Sequence, residues 1–279
     1  MFATAHYTDY QKMNLTPYYI IEPKAEKVPF ILSIPHRGTQ FPGELKNKYA
    51  PELKEVLDDT DWFLEKLYDF APALGITTIY ARYSRWVIDL NRDPESKPLY
   101  DDGRLITALC PTTDFFGKEI YTQKDFEPDD AETLRRLENY FRPYHQKIDE
   151  IISELRSDFG EILFWDAHSI RRNVATIRPE SFPDFILGNN DGKTADKKFI
   201  KTALETLKTG NWQINHNDPF KGGFLTRSKG KPQNNVHALQ LEMSKDLYMD
   251  AAELSYDEEK AEKVKTLLRK TFENLILQF

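Results

Sequence analysis

Three polar residues stand where short apolar runs end. His36 follows Val28–Ile34 (VPFILSI) by two residues, His168 follows Glu161–Trp165 (EILFW) by three, and Glu242 lies near the end of Ala238–Met243 (ALQLEM). Two histidines and a carboxylate from different elements, with one position open, is how a catalytic zinc is held. A separate glutamate could then activate the metal-bound water. Asp59 and Asp61 offer carboxylates at the opening of the segment after the His36 loop, where they would also serve as N-cap and helix-dipole residues. No compact metal motif such as HExxH is present, so spacing alone leaves the ligand set open. Glu242 sits between Leu241 and Met243 in a strand that reads as buried, where a carboxylate without a partner is costly.

Arginines form a second group. Arg92 lies beside an amide in Asp89-Leu90-Asn91-Arg92-Asp93-Pro94, and Arg227 follows the glycine-rich Phe220-Lys221-Gly222-Gly223-Phe224-Leu225-Thr226. The guanidinium fork matches a carboxylate, so two such residues near a metal would suit a small substrate with two carboxylates. The alternative is a structural salt bridge, above all from Arg92 to Asp89 or Asp93. His145 lies beside the apolar stripe of a long helix and reads as structural, His6 and His216 have no context that singles them out, and Cys110 has no neighbouring histidine to activate it.

The elements that must hold these residues alternate along the chain. Val28–Ile34 and Glu161–Trp165 read as strands buried on both faces, with further strands at Ile76–Ala81, Val87–Leu90, Phe185–Leu187, Trp212–Asn215 and Ala238–Met243. Helical spacing runs from Asp59 through Phe63, Leu67, Ala71 and Leu74 to a stop at Gly75. A longer stripe follows a cap at Asp129 (Leu134, Leu137, Phe141, Tyr144, Ile148, Ile151, Leu155) and ends at Gly160. Helices are also expected near Thr194–Leu207 and over Asp257–Leu277. Residues 94–126 have no clear period and read as a long surface excursion near the site. The pattern predicts an α/β three-layer sandwich: a mixed, mostly parallel sheet with helices on both faces, forming one domain over residues 1–279. Ligands of such sheets bind beyond the carboxyl ends of the strands.

Composition narrows the function. Lys and Arg number 38 and Asp and Glu 45 in 279 residues, a formal charge of −7, which argues against a nucleic-acid or anionic-membrane partner. The single cysteine forms no internal disulfide and fits a reducing compartment. No apolar run approaches the ~20 residues of a membrane span and Met1–Tyr10 lacks the pattern of a secretion signal, so a cytoplasmic location is expected.

The motifs together resemble a family. Ile34-Pro35-His36-Arg37-Gly38, Asp59-Thr60-Asp61-Trp62, Val87–Pro94, Trp165-Asp166-Ala167-His168-Ser169-Ile170, Asn217–Gly223 and His237-Ala238-Leu239-Gln240-Leu241-Glu242-Met243 are similar, in order, to those of the N-formylglutamate amidohydrolases, related in fold to zinc exopeptidases. The resemblance implies hydrolysis of N-formyl-L-glutamate to formate and L-glutamate in histidine degradation. It implies one divalent metal ion, zinc above others, held by His36, His168 and Asp61, with Asp59 as the alternative. Two positions apart on a helix, those aspartates would point about 200° apart, and only one would face the metal. Glu242 would be the general base, and Asn91, Arg92, Arg227 and His237 would contact the substrate. The family usually has a small residue in place of Arg37 and glycine in place of Asn235. A carboxypeptidase-like or other N-acyl amino acid hydrolase on the same metal site is the rival enzyme, and a non-catalytic binder of acidic metabolites the rival of another class.

Overall fold

The computed structural model describes residues 16–56, 59–95 and 108–279. Met1–Tyr10, His6 and the middle of the expected excursion lie outside them. Seven strands form one sheet: β1 (Tyr18–Ile21), β2 (Phe30–Ile34), β3 (Thr77–Ala81), β4 (Ile162–Ile170), β5 (Phe185–Gly188), β6 (Ile214–His216) and β7 (Val236–Ser244). Their order is β1-β3-β2-β4-β7-β5-β6. The central run β3-β2-β4-β7 is parallel, as is β5-β6, while β1 joins β3 and β5 joins β7 antiparallel. The mixed, mostly parallel sheet expected from the alternation of elements is what forms.

The helices are α1 (Pro51–Val56), α2 (Leu64–Leu67), α3 (Asp130–Arg136), α4 (Arg142–Phe159), α5 (Lys197–Leu207), α6 (Phe224–Lys229) and α7 (Glu258–Ile276). One face of the sheet packs Leu32, Leu163, Trp165 and Leu241 against Phe199, Leu268 and Phe272 of α5 and α7. The other packs Ile31, Phe164 and Ala238 against Tyr144, Ile148 and Leu155 of α4.

Several expected boundaries move, each for a physical reason. β4 runs on through Asp166, Ala167, His168 and Ser169, so His168 stands inside the strand. Val87–Leu90 is a buried loop rather than a strand. Carbonyls of this segment and of the residue before it are taken by side chains: Trp86 O by Tyr49 Oη at 3.1 Å, Val87 O by Arg136 Nη1 at 3.1 Å and Leu90 O by His145 Nε2 at 2.9 Å. With those acceptors satisfied, the segment needs no neighbouring strand. The helix expected from Asp59 is broken at Phe63, whose φ is 61°, leaving α2 and a 3₁₀ turn at Ala71–Leu74. Between α3 and α4, Leu137–Phe141 is π-helical. That wider turn shifts the helical phase, and Leu134 is consequently 55% exposed. The described end of the excursion is surface only in part: Phe116 is exposed, while Leu109, Cys110, Ile120 and Tyr121 are buried in the α4-side core.

Asn235, just before β7, has φ 58° and ψ 31°. Glycine takes this left-handed conformation freely and asparagine tolerates it, which accounts for the departure from the family's usual residue. Arg37 turns to Glu65, with Nη2 2.5 Å from Oε1, and lies over the ring of Tyr80.

Candidate metal centre

Side chains alternate across a strand, so the wholly buried β4 conceals two different faces. Leu163, Trp165 and Ala167 enter the α5–α7 core. On the α4 side the strand reads Ile162, Phe164, Asp166, His168, turning polar toward its carboxyl end. β7 does the same with Val236, Ala238, Gln240 and Glu242. The parallel register pairs Asp166 with Gln240 and His168 with Glu242, which gathers the polar residues at one edge.

His36 arrives from the turn after β2, and a backbone bond ties the next loop to it: Asp61 N–H donates to His36 O at 2.9 Å. His36, Asp61 and His168 thereby converge, each buried, with one donor atom apiece within 4.8 Å of the others. Asp61 Oδ2 is 3.8 Å from His36 Nδ1 and 3.2 Å from His168 Nδ1. Each opposite ring nitrogen faces a carboxylate: His36 Nε2 lies 2.8 Å from Asp89 Oδ1 and His168 Nε2 lies 3.0 Å from Asp166 Oδ1. Metal-ligating histidines almost always donate their second nitrogen in this way, which fixes tautomer and ring plane. Two imidazoles and one carboxylate so arranged fit a divalent metal, and the N₂O set suits zinc.

The two aspartates separate by environment. Neither lies on a helix, so angular spacing plays no part. Asp59 turns away: Oδ2 accepts from Trp86 Nε1 at 2.9 Å and Oδ1 from Phe115 N–H at 3.0 Å, and burial raises its pKa. Burial also opposes ionisation of Asp61, but the neighbouring His168, His36 and Arg85 outweigh it and lower its pKa. Asp61 is the residue gathered with the histidines.

The carboxylates behind the histidines are themselves held. Arg85 Nη2 donates to Asp89 Oδ2 at 2.6 Å. Burial disfavours the charge on Asp89, yet Arg85 and His36 hold its pKa well below the usual range. Thr226 Oγ1 donates to Asp166 Oδ2 at 3.0 Å. Asp89, Asp166, Arg85 and Thr226 were not singled out as functional from sequence. The signal was there for Asp166, since a residue two before a strand histidine shares its face. Arg85 gave none, because its contact depends on the path of an irregular loop.

Glu242 retains partial solvent access at the end of the sheet, beside His168. Burial, reinforced by Asp61 and Asp166, raises its pKa to about 8 against the opposing pull of His168.

The expected substrate contacts fare differently. Arg92 Nη2 lies 3.7 Å from Asp89 Oδ2, the structural pairing foreseen as its alternative. Arg227 sits in α6, where Nε donates to Gly222 O at 2.8 Å. Asn91 Nδ2 lies 2.9 Å from His168 Nε2. His237 is not brought to the centre. It lies at the amino end of β7, paired in register with Leu163, and its ring is enclosed. Nδ1 accepts from Asp196 N–H at 3.2 Å and Nε2 lies 2.9 Å from Glu161 Oε1. Lys198 Nζ, 2.6 Å from Glu161 Oε2, supplies the cation there, so Glu161, Asp196 and His237 form a structural ion cluster.

A sequence profile of N-formylglutamate amidohydrolase matches residues 28–249. The chain is 39% identical over 256 residues to the N-formylglutamate deformylase of Pseudomonas aeruginosa, covering 91% of this chain and 94% of the relative. It is 36% identical over 253 residues to the protein of the same name from Pseudomonas putida, covering 90% and 93%. The crystal structure of N-formylglutamate amidohydrolase from Ralstonia eutropha superposes with a TM-score of 0.77 at 26% identity, covering 93% of this chain and 98% of that one. The chain belongs to the N-formylglutamate amidohydrolase family.

Proposed function

We propose that this protein hydrolyses N-formyl-L-glutamate to formate and L-glutamate, the deformylation expected in histidine degradation, using one divalent metal ion held by His36, Asp61 and His168. The observation that carries this reading is the register pairing of His168 with Glu242, which sets a half-open carboxylate beside a three-residue metal cluster in a chain of this family. A bound zinc would polarise the formyl carbonyl and lower the pKa of water in the site toward ~7.

The remaining chemistry falls to side chains. Glu242 takes a proton from the attacking water and returns it to the departing glutamate nitrogen. Asp89 and Asp166 keep the imidazole planes fixed while charge develops. Arg92 and Arg227 flank the edge through Asp89 and the Gly222 loop, and they are assigned to the substrate carboxylates.

The reading is tested by release of the free amino acid from N-formyl-Glu, N-formyl-Asp, N-acetyl-Glu and N-formimino-Glu, with formate followed alongside for the two formyl compounds. Release from N-formyl-Glu alone, or with at least tenfold preference, supports it; equal turnover of the acetyl compound makes the protein a general N-acyl amino acid hydrolase.

A further inference from the structure

The peptide between Gly222 and Gly223 is gripped on both edges. Its N–H donates to Gln240 Oε1 at 2.7 Å, and its carbonyl accepts from Arg227 Nε at 2.8 Å. In a planar trans peptide these two groups point in opposite directions, so Gln240 and Arg227 hold one plate from its two sides. The first bond also settles the glutamine amide, because only its oxygen can meet an N–H.

The sheet makes room for this contact. Gln240 is buried and lies two residues before Glu242 on the same face of β7. Its register partner across the antiparallel seam is Gly188. A Cβ there would fall 2.7 Å from the Lys221 carbonyl carbon and 2.8 Å from Gly222 N, so the bare strand position lets the loop lie against the sheet beside the glutamine. Asn190 N–H donates to Lys221 O at 2.6 Å and Leu225 N–H to Asn91 Oδ1 at 2.7 Å, which ties the loop on either side of the plate. Between those ties the chain is at its softest. The plate is flanked by two glycines, one of them at φ 116°, and glycine turns a peptide plane at little cost. The bond from Gln240 is what opposes that rotation, and a rotated plate would swing its carbonyl away from Arg227.

We propose that Gln240 is a positioning residue for Arg227: it fixes the peptide whose carbonyl aims the guanidinium, and so ties recognition of one substrate carboxylate to the strand that bears Glu242. The proposal rests on the assignment of Arg227 to a substrate carboxylate, and the experiment separates the two.

The test follows kcat/KM for formate release from N-formyl-L-glutamate, N-formyl-L-glutamine and N-formyl-L-isoglutamine, the last two carrying an amide in place of the γ- and the α-carboxylate. It compares the parent protein, Gln240→Met, Arg227→Ala and the double variant, with metal content by elemental analysis. Methionine keeps the length of the side chain and lacks the amide oxygen. In Gln240→Met, kcat/KM for N-formyl-L-glutamate should fall roughly three- to tenfold, as one lost hydrogen bond implies, mainly through KM and with metal content unchanged. The loss should shrink to within about a factor of two on the same amide that Arg227→Ala spares. The double variant should fall no more than about twofold below Arg227→Ala, because both substitutions act through one guanidinium. Equal loss on the acid and both amides, or losses that multiply in the double variant while Arg227→Ala stays selective, would overturn the proposal and leave Arg227 in its role. An unselective Arg227→Ala would remove the assignment on which the proposal rests, and the proposal with it. If Gln240→Met does not fold, Gln240→Asn, whose amide stops one methylene short of the peptide, is carried through the same comparison and the same outcomes decide.

Discussion

Glu242 stands beside His168 across the seam between β4 and β7, paired residue to residue in parallel register on the same face of the sheet. A strand residue one position away on either side would point into the opposite core. The proposed general base and a proposed metal ligand are therefore set side by side by the backbone pairing itself, without help from a loop.

Replacing Glu242 by Gln keeps the size of the side chain and removes the base. A positioned general base contributes about 10²–10⁴-fold, so kcat should fall by that range. Metal content, by elemental analysis, and substrate Kd should hold. Loss of metal would make Glu242 a ligand instead.

The ligand set makes a sharper distinction between the two aspartates. His36→Ala, His168→Ala and Asp61→Ala should each purify without stoichiometric metal and without activity, because an incomplete set of three leaves no closed site. Asp59→Ala should keep its metal and lose stability, since Asp59 anchors Trp86 and the Phe115 backbone. Each buried bond lost there costs about 1–3 kcal/mol, readable as a lower melting temperature. Full metal occupancy in Asp61→Ala with loss in Asp59→Ala would reverse the assignment.

Asp89→Asn keeps the shape behind His36 but removes the charge that Arg85 and His36 hold ionised. Zinc affinity should drop by about 10–100-fold, measured by chelator competition, with the metal-free protein still folded. Affinity equal to the parent protein would reduce Asp89 to a loop-holding role.

The arginines are separable by substrate. Arg227→Ala should weaken N-formyl-L-glutamate about tenfold to a hundredfold in kcat/KM, as one charge-assisted bond implies, and should change far less toward the analogue with the matching carboxylate amidated. Arg92→Ala should show the same selectivity together with weaker metal binding, since Arg92 lies beside Asp89. Equal loss on acid and amide in both variants would remove these residues from substrate recognition.

A pH effect should come from outside the centre. His145 is buried, stacked on Phe141 with Nε2 on Leu90 O, and burial, with Lys229 nearby, lowers its pKa to about 3. The unfolded chain takes up this proton near the ordinary value of about 6.5. Between those two values the unfolded state binds more protons, so stability falls as pH drops below about 6.5, by at most about 1.4 kcal/mol per unit. Above that range the group has no effect. Denaturant unfolding of the parent protein and His145→Gln between pH 4 and 7 should show a shallower acid slope in the variant; parallel slopes would contradict it.

His36, His168 and Glu242 were legible by residue type and position because they sit at or near strand ends, whereas Asp61 was named as the ligand only through the family resemblance, with Asp59 as its alternative; the structure brings Asp61 to the histidines. β4 was harder to read, since a strand buried on both faces shows no alternation of hydrophobicity, and Asp166 and His168 looked like the turn after it. The Val87–Leu90 loop resembled a strand because its side chains are buried, while its backbone partners, Tyr49, Arg136 and His145, lie far away in sequence. His237 was misplaced because proximity in sequence to Glu242 says nothing of which end of a nine-residue strand a side chain occupies. The π-helical step at Leu137–Phe141 left no compositional mark.

The central claim is that a metal held by His36, Asp61 and His168 is required for hydrolysis of N-formyl-L-glutamate. Its most direct test is a titration of metal-stripped protein with zinc while formate release from that substrate is followed. The account predicts no release without metal and a rise that saturates near one zinc per chain, absent in His168→Ala. Full release from the stripped protein, or none at any zinc level, would contradict it.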